Sequence, residues 1–516
     1  MSTAEIKATL RSAVPSAIFN DEKVQQALSS LPADEVANVK DYSSMPSQEV
    51  ANVLLTIADR AMILLDADPS KQSYLFGQCA LSAPTSEPCF DFFLKNWSFG
   101  FFRRPLTPAE SARLLTLFKN AGSGVRGYQS VYFVLMQSPQ MSFHVEEGQS
   151  SSGDRRRLTD YEIANRISYK TTGLPPDATL RAAAGRSDEL QKIENVEAQV
   201  SRLVSLSSAN SVSRVSSYFR FYSGIGDVPD PNPIVTSGRG IKSSAGLGGN
   251  MLRELDDYTQ GIFWKQTGDF EDFMTSSDSY PRNESMRIIL GTSAVVDSAK
   301  IVAQKSPTSF GFLHRPALLT NDGGRTNPIL RGAHLRQRYL CDSIPEPPSD
   351  LVAQTVLDAG DIDAQSNRAK YEQLTNQAVC LGCHSQINPV GFSFEGFDQL
   401  GMPRSIETLY ADSGQVKATY PLNTAVSNPK LDSGEQNGTA FTDSIALSRA
   451  VSKGNKGRSC YARRTFEFMT SREISDSNDG CLLSEMEDAA KTGTLKDVFI
   501  KSIANEDIFW RKLESN

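Results

Sequence analysis

The first half of the chain carries clear signals for amphipathic helices. In the stretch FFRRPLTPAESARLLTLF, Thr107 is placed to cap a helix, Pro108 takes the first helical position and Glu110 completes a capping box. The apolar residues that follow recur at helical spacing: Leu114, Leu117 and Phe118. The pattern predicts a helix that begins at Pro108 and buries one face.

The same combination recurs after a polar stretch. The segment EEGQSSSGDRRR, residues 146–157, has no apolar periodicity and is typical of a linker or an exposed loop. Beyond it, Thr159 and Glu162 repeat the capping box, and an apolar stripe follows on the helix they start. A second helical unit is therefore predicted to begin here.

Helical and irregular stretches alternate through the rest of the chain. Residues 224–250 are rich in Gly, Pro and Ser, which break regular elements, and residues 316–326 are a second stretch predicted to be irregular. Helical patterns follow each of them, at residues 251–265 and 329–340, and several short helices are predicted within 443–512. The predicted fold class is mainly α, a multidomain helical protein with long irregular loops.

The length of 516 residues exceeds what one core usually holds, so several domains are expected. The shifts in composition predict the following order: a helical region at 1–70 that matches nothing recognisable, helical domains at 71–147 and 157–300, a domain at 306–410 that contains the motif described below, an irregular segment or short hairpin at 411–440, and a C-terminal helical domain at 441–516.

Composition and charge narrow the possible partners. The chain is 39% hydrophobic and 22% charged, as soluble globular proteins are, and its formal net charge is -7. No segment gathers the Lys and Arg that a phosphate backbone requires, so we expect no nucleic-acid partner. No apolar run approaches the ~20 residues that span a bilayer, so no transmembrane segment is expected. The N-terminus shows no signal peptide.

One pentapeptide, CLGCH, carries the chemistry. In a C-x-x-C-H motif, two thiols one helical turn apart can add to the two vinyl groups of a haem, while the adjacent imidazole reaches the iron. The motif therefore predicts one covalent haem c, tethered by Cys380 and Cys383, with His384 as the proximal iron ligand. Aromatic and turn residues after it, Phe392, Phe394 and Phe397 among them, are suited to enclose a porphyrin, although they could equally be ordinary core residues.

Two other uses of paired cysteines remain open. A structural zinc site needs two further soft ligands, but the remaining cysteines stand singly and the chain has only four histidines. A thioredoxin-like dithiol follows an apolar strand, whereas the polar, helix-like SNRAKYEQLTNQ precedes this motif. Both alternatives are weaker than haem attachment.

Several motifs in the same order resemble a family of large multidomain cytochrome-c-like proteins of planctomycetes and some proteobacteria, whose function is uncharacterised. The resemblance covers roughly residues 75–512. It rests on FFRRPLTPAESARLL, LTDYEIANRISYKTTGLPPDATLRAAA, TNPILRGAHLRQRYLCDSIPEPP, CHSQINPVGFSFEGFDQLG and SCYARRTFEFMTSREISDSNDGCLLSEM. It implies a cytochrome-c-like haem segment with helical flanking domains and an extracytoplasmic setting.

The chain departs from that family near the haem motif. Asn388 stands where the family commonly has Asp, and MPR replaces the usual basic and aromatic residues after Gly401. Residues 1–70 do not resemble the family's N-terminal domain, so no role is inferred for them from the resemblance.

The sixth iron ligand would decide between electron transfer and reaction with a small molecule. Met402 is the nearest downstream sulfur and is a candidate distal ligand, with His314 as its rival. His334 and Met469 are weaker candidates. Each of these residues could instead be ordinary core filling.

Five cysteines lie outside the motif. A Cys460–Cys481 disulfide would close a short loop in the last domain, and Cys79 and Cys89 are close enough in sequence to pair, which leaves Cys341 unmatched. The alternative is free thiols. Arg331 is a candidate partner for a haem propionate, against the default of a surface arginine.

We therefore expect a haem c protein that transfers electrons to or from an unidentified redox partner protein. A catalytic haem, peroxidase-like or oxidase-like, is one alternative, and an envelope interaction scaffold with an accessory haem is another. Haem attachment normally takes place outside the cytoplasm, so we expect a periplasmic or otherwise extracytoplasmic location, with the leader removed, replaced or encoded upstream of a misplaced gene start.

Overall fold

The computed structural model describes residues 1–32, 48–68, 72–293, 302–345, 365–427, 429–432 and 439–513. The fold is mainly α with small antiparallel sheets, as predicted. The chain divides into two compact units, Met1–Arg214 with Ile503–Asn516, and Val215–Ser502. The division into six finer segments expected from the sequence stays a prediction.

The first unit is built from helices, and those of residues 3–142 share an aromatic-rich core. Its helices are Thr3–Ala13, Ser16–Phe19, Glu22–Ser29, Gln48–Ala67, Gln72–Phe76, Gln78–Ser82, Glu87–Phe101, Pro108–Asn120, Gly124–Met136, Pro139–Ser142, Asp160–Thr172, Ala178–Ala184, Ile193–Leu203 and the start of Ala209–Ser223, with a 3₁₀ turn at Glu506–Phe509.

Both predicted capping boxes are present in this unit. The side chain of Thr107 accepts from the Glu110 N–H, and Glu110 in turn accepts from the Thr107 N–H. Thr159 and Glu162 do the same at the start of Asp160–Thr172. The two helices begin where the sequence predicts, because a capping box satisfies amide groups that no other part of the helix can reach.

The predicted linker at residues 146–157 contains regular structure. Ser150–Ser152 and Arg155–Arg157 form a hairpin, and Trp510–Lys512 adds a third antiparallel strand beside Arg155–Arg157. No apolar alternation marks these strands in the sequence. The first two strands pair locally across a tight turn, and residues far away in the chain supply only the third strand.

The second unit contains the C-x-x-C-H motif. Its helices are the rest of Ala209–Ser223, then Pro233–Gly238, Leu247–Phe263, Phe270–Thr275, Glu284–Ile289, Pro316–Leu319, Pro328–His334, Asn367–Leu374, Ala378–Ser393, Ser444–Lys453, Asn455–Thr470, Asp476–Thr492 and Leu495–Lys501, with 3₁₀ turns at Phe312–His314 and Phe394–Gly396 and a π turn at Leu335–Tyr339. Its paired strands are Asp278–Ser279 with Gln304–Lys305, Ile406–Tyr410 with Val416–Pro421, and Val426–Ser427 with Ala440–Phe441.

Two segments of this unit are more regular than the sequence indicates. Residues 224–250, which the sequence predicts to be irregular, contain the helix Pro233–Gly238 and the first residues of Leu247–Phe263. Asn232 caps the former by accepting from the Ile234 N–H. Residues 411–440 are predicted to be either irregular or a short hairpin. Val416–Pro421 in this segment forms a hairpin with Ile406–Tyr410, a strand that begins before the segment does.

Two glycines bring the motif helix, Ala378–Ser393, against the packing helix, Pro328–His334. A Cβ on Gly391 would lie 1.9 Å from the carbonyl oxygen of Pro328, and one on Gly332 would lie 2.4 Å from that of Ile387. These distances leave no room for any side chain, so the two backbones touch directly. This contact fixes the C-terminal half of the motif helix.

Gly391→Ala is expected to destabilise the protein by about 1–3 kcal/mol, because the added methyl group must push the packing helix away. Gly382→Ala is the matched control, since a Cβ there meets nothing within 4 Å in the same helix. That control should be neutral or slightly stabilising. Urea unfolding of both variants measures the difference, and equal midpoints would contradict the packing argument.

Two disulfides are formed among the described residues. Cys79 pairs with Cys89, as predicted. Cys460 pairs with Cys341 and not with Cys481, so the predicted Cys460–Cys481 bridge is wrong. The reason is the face of each helix: Cys460 is buried in Asn455–Thr470, whereas Cys481 is exposed on Asp476–Thr492. Cys341, expected to be unmatched, lies beside the buried Cys460.

In the part of the chain described above, no helix combines the length and the apolar character needed to cross a lipid bilayer.

Candidate haem site

The motif helix has two different halves. Its C-terminal half is buried, through Ile387, Val390 and Phe392, and runs past Pro389 without ending. Its N-terminal half carries the motif and is open to solvent: Val379 is 64% exposed and Leu381 is 48% exposed. Large apolar side chains beside the motif are thus free to meet a ligand.

The two motif thiols are unpaired and half-buried. Cys380 and Cys383 are free, while the four cysteines of the two disulfides are oxidised. Their spacing of three residues in a continuous helix sets the sulfurs one turn apart on one side, and His384 follows directly. The structure therefore keeps the three predicted attachment residues together on one rigid element.

A chain of hydrogen bonds orients the His384 ring. Nδ1 of His384 lies 3.0 Å from Oδ1 of Asn388, one helical turn further on. Nδ2 of Asn388 donates to Oγ1 of Thr375 at 2.8 Å, and that hydroxyl donates to the carbonyl oxygen of Tyr371 at 2.7 Å. We call these four residues the amide relay. Among the described residues, no hydrogen bond reaches Nε2 of His384.

His384 lines a cavity of about 650 Å³, here called the His384 cavity. One wall comes from the motif helix and another from the flanking helix, Asn367–Leu374, and the residues after it. The third comes from the paired strands Val426–Ser427 and Ala440–Phe441. The wall of the motif helix consists of Leu381, His384, Ser385, Asn388, Pro389 and Phe392.

The charged residues of the cavity wall are held in fixed positions. Arg368 Nε donates to Glu372 at 2.8 Å, and its Nη1 donates to the carbonyl oxygens of Asn423 and Ala425 at 2.9 and 3.0 Å. The same guanidinium lies 4.9 Å from the ring centroid of Phe392. Arg368 thus fastens the flanking helix to the loop before the third wall, with its charge at the cavity edge.

The two distal candidates are not among the residues that line the cavity. His314 is fully buried, with Nδ1 bonded to the Phe310 carbonyl and Nε2 at 2.9 Å from Oγ of Ser444. Burial lowers the pKa of His314 to about 3. Met402 is half-buried, and its backbone pairs with Asp398. Neither side chain therefore belongs to the wall of the cavity beside His384.

The weaker candidates also lie outside the cavity wall. Met469 is buried, and Nε2 of His334 donates to the carbonyl oxygen of Ser223 at 2.7 Å. Burial lowers the pKa of His334 to about 4 from its ordinary 6.5. His334 therefore stays neutral in the folded chain at pH values where it is protonated in the unfolded chain.

Acid should destabilise the protein through His334. Between about pH 6.5 and 4 the unfolded chain binds a proton that the folded chain excludes, so stability is lost as the pH falls, by about 1.4 kcal/mol per pH unit from this group. His334→Gln keeps an N–H donor for Ser223 and removes the titration. Urea unfolding from pH 7.5 to 4.5 should show a shallower slope for the variant. Parallel slopes would contradict this assignment.

Arg331 is neither on the surface nor at the cavity, contrary to expectation. It is buried, and its two Nη atoms donate to the carbonyl oxygens of Phe394, Phe397, Leu319 and Asp398 at 2.6–3.0 Å. Burial lowers its pKa to about 10. A propionate contact is excluded by this arrangement, in which Arg331 holds together the turn that follows the motif helix.

Sequence reasoning missed three residues of the site. Asn388 was noted only as a departure from a family pattern, although its place four residues after His384 in a helix puts both on one face. Thr375 and Arg368 carry no such signal, because they reach the site from a different helix. In the described residues, no three His, Cys, Asp or Glu side chains are placed to hold a metal ion together.

Two parts of the chain match known domain families. Residues 310–407 match PSCyt3, Protein of unknown function (DUF1588), and residues 158–289 match PSD4, Protein of unknown function (DUF1592). The first match contains Cys380, Cys383 and His384. No curated protein and no solved structure is significantly similar to the chain. The chain thus carries two regions similar to planctomycete cytochrome-c-like domains.

Proposed function

We propose that the chain carries one haem c, attached covalently through Cys380 and Cys383, with Nε2 of His384 as the proximal iron ligand. The observation that carries this proposal is the hydrogen bond at Nδ1 of the His384 imidazole. Because Asn388 Oδ1 accepts a hydrogen bond from Nδ1–H, the ring is held in the tautomer whose Nε2 lone pair is free, beside a cavity of about 650 Å³.

The residues around the motif suit a porphyrin. The donor set is two unpaired thiols one turn apart and one imidazole, which is the set that c-type attachment uses. Leu381, Phe392 and Phe441 provide apolar surface on the cavity wall, whereas the exposed Val379, beside Cys380, lies outside that wall. A planar apolar group tethered there would cover side chains that otherwise face water.

The role that we propose is extracytoplasmic electron transfer with a redox partner protein. Haem iron supplies one-electron chemistry when bound. Similarity to cytochrome-c-like domains supports a haem protein, and two disulfides are compatible with an oxidising compartment. The chain's own residues supply the tether, the orientation of the imidazole and the apolar enclosure.

A second candidate is a haem that binds a small molecule. Apart from His384, the described residues of the cavity wall include no His and no Met, and Ser427 and Thr442 are the hydroxyl groups of its third wall. A site without a strong sixth ligand favours reaction with peroxide or a diatomic gas over electron transfer alone.

An optical spectrum tests both roles. The full chain is produced with the haem c maturation machinery, and its mass is measured after acid denaturation to detect a covalent adduct. The proposal predicts one adduct per chain. A colourless product with free thiols at Cys380 and Cys383 would overturn it. Low-spin iron that does not bind added cyanide or carbon monoxide supports electron transfer, whereas high-spin iron that binds them readily supports the second candidate.

A further inference from the structure

We propose that Asn388 and Thr375 are positioning residues: the amide relay sets the tautomer of His384 and, as a neutral partner, keeps the iron at a higher reduction potential than a carboxylate at residue 388 would. This inference rests on the proposed function, because it concerns the residue that would bind the iron. It goes beyond that function because it names the two residues that set the tautomer and the basicity of His384.

The direction of the relay follows from its far end. A backbone carbonyl can only accept, so Thr375 must donate its hydroxyl proton to Tyr371. The Thr375 oxygen is then left to accept, which requires the NH₂ group of Asn388 to face it. The amide oxygen of Asn388 therefore faces His384, and an amide oxygen can only accept. Each link fixes the next, so Nδ1 of His384 carries the proton.

The relay is anchored in two helices. Thr375 is buried at the C-terminal end of the flanking helix, where its N–H also donates to the Tyr371 carbonyl at 3.1 Å. Asn388 lies in the motif helix, whose C-terminal half is held by the Gly391 contact. The imidazole is thus oriented through Nδ1 by a relay anchored in two helices, and its plane cannot rotate without breaking a hydrogen bond.

The charge of the partner at residue 388 determines how basic the imidazole is. A carboxylate that accepts a hydrogen bond from Nδ1–H gives the His384 imidazole more anionic character. A more anionic ligand favours ferric iron. An amide oxygen accepts the same hydrogen bond without a negative charge, and the neighbouring charges of the cavity, Arg368 and Glu372, are paired with each other. Asn388 therefore accepts the same hydrogen bond from His384 as an acidic residue would, but it carries no negative charge.

Three variants and a control test the relay in the haem-loaded full chain. Asn388→Asp adds the charge, Asn388→Leu removes the acceptor at similar size, and Thr375→Val removes the hydroxyl. Ser385→Ala is the control, because Ser385 also lines the cavity but has no link to the relay. Reduction potentials are measured by electrode titration, and haem attachment is measured separately by mass.

We expect Asn388→Asp to favour ferric iron by about tenfold, a shift of about 59 mV to lower potential for one electron. Asn388→Leu should shift the potential upward, and Thr375→Val should shift it the same way by less, because the amide loses the group that orients it. Ser385→Ala should leave it unchanged. Equal potentials in Asn388→Asp, Asn388→Leu and wild type, with haem attached, would overturn the relay.

The same variants give a second measurement in the chain without haem. Only four histidines are present, so ¹⁵N-labelled histidine side chains can be resolved by NMR. The relay predicts that His384 is protonated at Nδ1 in wild type and mixed between tautomers in Asn388→Leu. A failure of haem attachment in wild type would sink the proposed function and the effect on potential but leave the tautomer assignment standing, whereas mixed tautomers in wild type would sink the relay.

Discussion

Replacing Cys380 and Cys383 together by serine is expected to abolish covalent haem attachment completely. Serine keeps the size and helical compatibility of the residue but lacks the nucleophilic sulfur that forms a thioether. Without these tethers the haem is a separate molecule. His384 must then bind its iron without the high effective concentration that a covalent link provides. The measurement is the mass of the acid-denatured protein together with haem staining of a denaturing gel.

The control for this prediction is Cys481→Ser. Cys481 is also a free thiol, but it is exposed on the helix Asp476–Thr492 and has no neighbouring histidine in sequence. This variant should carry haem at the wild-type level. A double variant that still holds haem through acid denaturation would show that other residues form the attachment.

Loss of the Cys341–Cys460 disulfide should lower the free energy of unfolding by about 4–5 kcal/mol. The bridge joins residues 119 apart, and closing a loop of that length removes a large amount of entropy from the unfolded chain. The test is Cys341→Ser with Cys460→Ser, unfolded in urea without reductant. A reducing agent should bring wild type toward the variant, once the smaller contribution of Cys79–Cys89 is subtracted.

Cys481→Ser again serves as the comparison, since it removes a thiol that forms no disulfide. Its unfolding midpoint should match that of wild type. If the double variant unfolds with the same midpoint as well, the bridge does not constrain the unfolded chain in the way proposed.

Local features of the fold could be predicted from the sequence. The capping boxes at Thr107 and Thr159 were predictable because every group involved lies within four residues. The strands Ser150–Ser152 and Arg155–Arg157 were not, because they are polar throughout and the strand that completes their sheet, Trp510–Lys512, lies far away in the chain. Cys341–Cys460 was missed for the same reason: which cysteines meet is decided by helix packing and not by spacing.

The candidate site was also predictable from the sequence only in part. Cys380, Cys383 and His384 could be chosen from one pentapeptide, and the structure keeps them together on one helix. The partners that orient them come from elsewhere, since Thr375 approaches from the flanking helix. Arg331 differs from both expectations: it was a candidate partner for a propionate, with a surface arginine as the default, but it binds four backbone carbonyls, an arrangement that sequence alone does not reveal.

The first compact unit is interrupted in sequence by the second, since Met1–Arg214 is completed by residues that begin at Ile503. During synthesis, Arg155–Arg157 leaves the ribosome long before its partner strand, Trp510–Lys512, has been translated. The unit that carries the motif can therefore finish folding first, and the earlier-made unit must wait with an unpaired strand edge. Nascent chains stalled before residue 510 should remain sensitive to protease near residue 155.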